Sequence, residues 1–221
     1  MMEQTKQLKI SAIVLSLLLI VLTAAGCSNS APGKEEETKE SAGVLYTVSV
    51  NGVEVRIGET KVQSLLDSGL KVTVSDASEG ITNIKTYEID PDTVLAPNTY
   101  YTAASIWITD HIFAHISMVT DEVKETRMGD CTIARLEFSL SGTDEKADLD
   151  RIVFDGTPLS ELSRAKAGEQ FPDFTGDEVM WFSPATMDDY EYFMSFDLQS
   201  GKITKLSLEY DYDVDWTGSN Q

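Results

Sequence analysis

The chain has 221 residues, of which 42% are hydrophobic and 24% charged, so it has an ordinary globular composition with enough apolar residues for a core. Its 37 acidic residues outnumber 17 basic ones, giving a net charge of −20 at pH 7. This charge repels phosphate backbones and anionic lipid, and no basic stripe offsets it. Nucleic acid is therefore excluded as a partner, whereas cations and basic proteins are favoured.

The strongest local signal lies in residues 1–27. Lys6 and Lys9 precede an uncharged, mostly apolar run over residues 10–22, and small residues then lead into Cys27. A run of this length is typical of the apolar region of a signal peptide and is short for a membrane span. The segment resembles the bacterial lipobox. This resemblance implies a signal peptide over residues 1–26 and a diacylglyceryl group on the thiol of Cys27.

An uncleaved membrane anchor is the alternative for this segment, because residues 10–33 contain no charge. Both interpretations place the remaining chain outside the cytoplasm, at the cell membrane. Residues 28–43 contain no large apolar side chain, and we expect residues 27–43 to form a disordered tether of about 20–24 Å. The only other cysteine, Cys131, would then have no disulfide partner.

The region that follows the tether opens with a hairpin. Hydrophobic and polar residues alternate on both sides of Asn51-Gly52, which is the strongest short-range signal for a hairpin. A short helix should follow, with Thr60 as its cap, Gln63 completing a capping box, and Gly69 after its end. The next strand is expected over residues 70–74.

The middle of the chain predicts further strands. Residues 81–89 read as a strand, and residues 105–108 and 112–119 read as a pair around a turn. Residues 131–140 form another predicted strand. Its apolar residues do not share one parity, which indicates a bulge or burial on both faces.

The last part repeats the opening pattern. A strand over residues 152–154 is followed by Asp155-Gly156 and a helix capped by Thr157, with Pro158 at its first position. Gly168 should end that helix. Three strands are then expected, over residues 179–183, 190–196 and 203–214.

Together these elements predict an α+β fold in which short helices pack on antiparallel β-sheets, in two related halves. The N-terminal half would comprise residues 44–125. The C-terminal half would comprise residues 126–221 and contain the three-stranded meander.

Four stretches carry a wider resemblance: VSVNGVEVRIGETKVQSLLDSGL (48–70), GDCTIARLEF (129–138), FDGTPLSEL (154–162) and FDLQSGKITKLSLEY (196–210). They resemble a group of Firmicutes surface lipoproteins of unknown function. The two halves are similar in architecture to β-lactamase-inhibitor-like and BamE-like envelope units. Neither resemblance implies an activity or a catalytic residue.

Catalytic and metal-binding signals are weak. On a helix, His111 and His115 would share a face as zinc ligands do, but the β-branched sequence around Asp110 favours a hairpin. Cys131 leads into a strand rather than starting a helix, so a buried, unreactive thiol is expected. The sequence contains no serine-hydrolase elbow. We expect no catalytic residue, metal or cofactor.

The C-terminal strand offers the best candidate binding residues. Leucines and aromatic residues alternate with carboxylates, so tyrosines occupy one face and a row of carboxylates occupies the other. This strand could bind a cation, glycan or peptide, or it could be a solvated acidic edge. The calcium-loop pattern fails, because Trp216 replaces its glycine. The candidates are Tyr190, Tyr192, Tyr210, Asp211, Tyr212, Asp213, Asp215 and Trp216.

The leading functional hypothesis is a non-catalytic cell-envelope lipoprotein with a binding or accessory role, anchored by the lipid on Cys27 and engaging a basic envelope protein. The alternative is a small-ligand or cation binder that uses the Tyr/Asp-rich C-terminal sheet. A carboxylate-based hydrolase is the third hypothesis, because the many acidic residues could supply a catalytic pair.

The lipoprotein hypothesis predicts that the mature protein begins at a lipid-modified Cys27, because the signal peptide would be cleaved directly before this residue. Mass spectrometry of the mature N-terminus measures this directly. An unmodified Cys27 together with retained residues 1–26 would contradict the hypothesis.

Overall fold

Two tight turns in the structure have the backbone conformation that their residues favour. A computed structural model describes residues 46–80, 82–142, 146–184 and 189–212. Asn51 and Gly52 have φ values of 52° and 80°, the left-handed pair that a type I′ hairpin requires. Asp155 and Gly156 repeat this geometry with 44° and 80°. Each turn folds the chain back onto the preceding strand, which the sequence predicts at Asn51-Gly52 but not at Asp155-Gly156, where it predicts a turn into a helix.

Several predictions fall outside the described residues. They are the signal peptide (1–26), the lipidated Cys27 with its tether (27–43), and the candidate residues Asp213, Asp215 and Trp216.

The strands, in chain order, are β1 (Val48–Val50), β2 (Val53–Val55), β3 (Lys71–Asp76), β4 (Lys85–Glu88), β5 (Val94–Leu95), β6 (Tyr100–Trp107), β7 (Phe113–Val119), β8 (Thr126–Arg127), β9 (Thr132–Ser139), β10 (Ile152–Phe154), β11 (Thr157–Pro158), β12 (Thr175–Gly176), β13 (Met180–Phe182), β14 (Tyr190–Phe196) and β15 (Ile203–Tyr210). The helices are α1 (Val62–Asp67), α2 (Lys146–Leu149) and α3 (Arg164–Gln170), with a 3₁₀ turn at Met128–Asp130.

These strands form three antiparallel sheets. The largest has nine strands in the order β12-β13-β14-β15-β9-β7-β6-β3-β4, and a second has the order β11-β10-β1-β2. Strands β5 and β8 form a small third sheet. The described structure is therefore mostly antiparallel β-sheet with a few short helices, and the predicted α+β class fits only loosely. The reason is that each helix has at most two turns, whereas period-two alternation extends over long stretches of the chain.

One hydrophobic core joins the two larger sheets. Along β14, Tyr192, Met194 and Phe196 are buried at alternate positions. From the four-stranded sheet, Phe154 packs its ring 6.3 Å from that of Tyr192. Helix α1 adds Val62 and Leu65 to the same cluster. The four-stranded sheet and α1 thus cover one face of the nine-stranded sheet.

Strands from both sides of residue 125 pair with each other. Strand β1 pairs with β10, and β7 pairs with β9. The register between β7 and β9 shifts at Ser117/Met118, which agrees with the irregularity expected near residues 131–140. The division into related halves, 44–125 and 126–221, stays a prediction.

Helix α1 ends where the sequence predicts, but its first turn is not capped as predicted. Thr60 does not cap α1, because its Oγ1 instead accepts the backbone N–H of Arg56 at 2.8 Å. At the other end, Gly69 has φ +81° and follows the helix as predicted. The predicted boundary at Gly69 is confirmed, and the predicted cap is wrong.

The second predicted helix starts in the wrong place. Thr157 and Pro158 pair with β10 as an edge strand, and α3 begins only after Ser163, whose side chain accepts the N–H of Lys166. Gly168 lies inside α3 rather than ending it. Pairing with β10 overrides the local helix signal, because an edge strand tolerates the missing N–H of proline. Within the described residues, the helices are all too short to cross a lipid bilayer.

We expect Phe154→Ala to lower the free energy of unfolding by about 3–5 kcal/mol, because it removes a fully buried ring at the contact between the two larger sheets. Urea denaturation followed by tryptophan fluorescence measures the change. Val123→Ala is the control, since Val123 is 78% exposed and its loss should cost less than about 0.5 kcal/mol. Equal effects of the two substitutions would contradict this description of the core.

Candidate functional site

The face of the nine-stranded sheet opposite the core carries most of its polar side chains, and we call it the outer face. Alternation along the strands places these side chains there in transverse rows. One row crosses five strands and consists of Ser105, His115, Glu137, Ser207 and Phe193. The neighbouring row consists of Ser117, Arg135, Glu209 and Glu191.

Small residues create a groove in the middle of the outer face. Ser105, Ser117 and Ser207 are buried although they face away from the core, because longer neighbouring side chains stand around them. The resulting groove has a volume of about 290 Å³. Its walls are all polar or charged: Thr102, His115, Ser117, Arg135, Glu137 and Lys205.

A chain of ion pairs crosses this groove. Arg135 donates through Nη2 to Glu137, and Nζ of Lys205 lies 3.0 Å from the same carboxylate. On its other side, Arg135 Nε lies 3.6 Å from Oε2 of Glu209. The hydroxyl of Tyr100 donates to Glu209 at 3.3 Å, and burial raises the pKa of this phenol. Each carboxylate of this network therefore contacts a cation or a hydroxyl donor, so the groove presents charged groups to a ligand.

Carboxylates face each other directly across β14 and β15. Glu191 is the register partner of Glu209. The pairing continues by one residue, since the N–H of Asp211 donates to the carbonyl of Asp189 at 2.7 Å. Alternation along β14 and β15 places Glu191 and Glu209 on the outer face, and the same alternation continued by one residue beyond the strand ends assigns Asp189 and Asp211 to it. We call Asp189, Glu191, Glu209 and Asp211 the acidic ladder.

The acidic ladder is electrostatically unfavourable in the free protein. The Cβ atoms of directly opposite residues in an antiparallel pair are about 5 Å apart, and like charges on such residues are destabilising. Within the described residues, the ion pairs give the ladder one cation, Arg135, which already serves Glu137. A cationic group from outside would relieve the repulsion.

An aromatic pair lies beside the ladder. The rings of Phe182 and Phe193 are 5.0 Å apart, and Phe182 is 41% exposed. Phe193 lies two residues from Glu191 on the same strand and face. Phe193 is half-buried, and Nζ of Lys205 lies 5.7 Å from its ring centroid, which leaves Phe182 as the exposed ring beside the carboxylates that an arginine or lysine from outside can contact.

The predicted tyrosines lie on the opposite, core-facing side of these two strands. Tyr192 is fully buried, and its hydroxyl accepts the N–H of Tyr46 at 3.2 Å. Burial raises its pKa far above the usual value for a phenol. Tyr192 therefore serves the core in this structure.

Tyr190, Tyr210 and Tyr212 form an edge-to-face series with ring separations of 4.8 and 4.6 Å. They cover the turn at Gly58, where an added Cβ would lie 3.1 Å from the Tyr210 ring. The Tyr212 hydroxyl donates to the Gly58 carbonyl at 3.4 Å, and burial raises its pKa to about 12. The structure thus brings these tyrosines together as packing for a turn. Ligand binding by them stays a prediction.

The histidines do not form a pair. His111 lies in the turn between β6 and β7, whereas His115 lies on β7 with Nδ1 3.5 Å from the hydroxyl oxygen of Ser105. No group of three or more potential metal ligands occurs in the described part of the chain.

Of the carboxylates that the sequence predicts in a row on the C-terminal strand, Asp211 belongs to the acidic ladder.

Arg135, Glu137 and Lys205 were missed by sequence reasoning. A usable signal was present, because Arg135 and Glu137 alternate with Ala134, Leu136 and Phe138. Charged residues at alternate positions of a strand face away from the core. What the alternation alone does not reveal is that β15 lies next to β9 and supplies Lys205 to the same groove.

Comparison with family models, curated proteins and solved structures finds no match, so the geometry of the described residues carries the functional argument.

We expect Cys131 to react slowly with a thiol reagent at about pH 8 while the protein is folded, and rapidly after denaturation. The thiol is fully buried, and burial raises its pKa to about 11. Labelling kinetics with and without guanidinium chloride measure this, with Cys131→Ala as the background. Fast labelling of the folded protein that disappears in this variant would contradict a buried thiol.

The same shift predicts a pH dependence of stability. Because the folded state holds the thiol proton more tightly than the unfolded state, stability should fall as the pH rises from about 8.5 towards about 11. Cys131→Ala should flatten this slope, although the tyrosines with raised pKa values contribute to it as well.

Proposed function

We propose that the chain is a non-catalytic, lipid-anchored envelope protein that binds a basic protein through the acidic ladder and the Phe182–Phe193 pair. The observation that carries this proposal is the ladder itself, in which Glu191 on β14 faces Glu209 on β15 and Asp189 faces Asp211 just beyond the strand ends, with Arg135 as the cation that contacts it among the described residues. If these residues served only the stability of the sheet, oppositely charged side chains would face each other across the two strands. A surface kept for a cationic partner gains from leaving them alike.

Electrostatics supports a basic partner at both long and short range. The net charge of −20 attracts cationic proteins before contact. After contact, each lysine or arginine placed near two ladder carboxylates gains on the order of 1 to 4 kcal/mol per close charge pair before desolvation is counted. The aromatic pair then supplies the apolar contact that distinguishes a specific interface from simple charge attraction.

The sequence supports the remaining parts of the proposal. The segment that resembles a lipobox would attach Cys27 to the outer leaflet of the cell membrane, facing outside the cytoplasm. The resemblance to Firmicutes surface lipoproteins and to β-lactamase-inhibitor-like and BamE-like units agrees with an accessory role. A tether of about 20–24 Å would leave the outer face accessible to a neighbouring envelope protein.

A small-ligand or cation binder remains the second candidate function, because the ladder would also attract a metal cation. The absence of a third converging ligand among the described residues favours the protein partner over the metal. A carboxylate hydrolase is less favoured, since Glu137 is ion-paired with both Arg135 and Lys205.

We expect the full-length lipidated protein, used as bait in detergent-solubilised envelope, to retain a basic protein that a ladder variant does not retain. The ladder variant carries Asp189→Asn, Glu191→Gln and Asp211→Asn, three exposed positions. Quantitative mass spectrometry of the bound fraction measures the difference. The loss should be at least about tenfold at physiological salt and should shrink at high salt, because surface charges are then screened.

The matched control changes the net charge equally at exposed positions away from the ladder, with Glu88→Gln on the opposite edge strand β4, Asp110→Asn and Glu169→Gln. A second comparison sets Phe182→Ser against Leu198→Ser, since both side chains are exposed and only Phe182 belongs to the proposed interface. If both charge variants retain the same proteins equally, or if the bait retains no basic protein, the proposed function is wrong.

A further inference from the structure

We propose that the groove on the outer face binds the carboxylate group of a small ligand, held by Arg135 and Lys205. The groove is a different site from the proposed partner surface, because the ladder carboxylates do not line it, and the two sites meet where Arg135 contacts Glu209. The same face of the protein thus carries a second binding chemistry, of opposite charge.

The first observation is an unsatisfied donor. Nε of Arg135 is buried and has no hydrogen-bond partner among the residues that the structure describes. Its nearest carboxylate oxygen belongs to Glu209 and lies 3.6 Å away, which is beyond hydrogen-bond length. A buried N–H without an acceptor is unfavourable, and such groups are rare unless a water or ligand satisfies them.

The second observation is the charge of the walls. Among the residues that line the groove, Arg135 and Lys205 face one carboxylate, Glu137, so the lining itself carries one excess positive charge, and Glu209 lies 3.6 Å from Arg135 Nε outside this lining. A group with a single negative charge would neutralise this excess. A phosphate dianion would overcompensate, and the surrounding acidic surface would repel it.

The third observation is shape. The guanidinium group is planar and donates in parallel directions, which matches the two oxygens of a carboxylate. Buried Ser117 forms part of the groove wall, and exposed His115 and Thr102 add polar groups at the rim. The volume of about 290 Å³ lies at the lower end of the range for small-molecule sites and leaves room for a carboxylate with the small group that carries it.

The carboxylate could belong to a free small acid or to the C-terminus of a short peptide. Saturation-transfer-difference NMR on the full-length protein in deuterated detergent detects weak ligands directly. A comparison of probes distinguishes the two sources. The probes are acetate, glycylglycine and glycylglycinamide. The last probe has the peptide backbone without a terminal carboxylate.

We expect a saturable signal from acetate, from glycylglycine or from both, and no comparable signal from glycylglycinamide. Arg135→Lys keeps the charge but removes the Nε–H and the planar group, so the dissociation constant should rise at least about tenfold. Lys205→Gln should also weaken binding. Lys71→Gln makes the same charge change on an exposed lysine outside the groove and should leave binding unchanged.

A signal from acetate identifies a free acid as sufficient, whereas a signal from glycylglycine alone identifies a peptide terminus. The ladder variant should bind these probes like the wild type, which separates this inference from the proposed function. No signal from either carboxylate, equal binding of glycylglycinamide, or unchanged binding in both Arg135→Lys and Lys205→Gln would overturn the inference. Thermal melting of each variant shows that it is folded.

Discussion

The antiparallel pairing of β7, β9 and β15 is the constraint on which the functional surface depends. Each strand buries its apolar side chains under the four-stranded sheet and α1, so every alternate side chain must face the other way. A slip of one residue would bring Arg135 and Glu137 into the core. Because the cost of burying unpaired charges is large, the packing of the core fixes the pattern of charge on the outer face.

This coupling explains why opposite charge preferences can coexist on one surface. In the centre of the sheet, Arg135, Glu137 and Lys205 stand among small serines and form a nearly balanced network. At the end of β14 and β15, the acidic ladder has no such balance. The two regions meet at the Arg135–Glu209 contact but share no residue that lines the groove, so each keeps its own charge preference.

The tyrosines illustrate the difference between a conspicuous pattern and a functional one. Their alternation marks a strand face correctly, but that face is the one that packs against the core and the Gly58 turn. Large aromatic rings stabilise a fold most when they are buried. The less conspicuous residues on the opposite face, including Asp211, are the ones that meet solvent.

Sequence alone determined the features that depend on near neighbours in the chain. These are the left-handed turns at Asn51-Gly52 and Asp155-Gly156, the end of α1 at Gly69, and the alternation in β14 and β15. Tertiary structure decided the rest. Pairing with β10 converted Thr157-Pro158 from a helix start into an edge strand, and the order β15-β9-β7 brought Lys205, Arg135 and His115 to one groove. The physical reason is that local signals act over a few residues, whereas strand order is chosen by burial of the whole apolar surface.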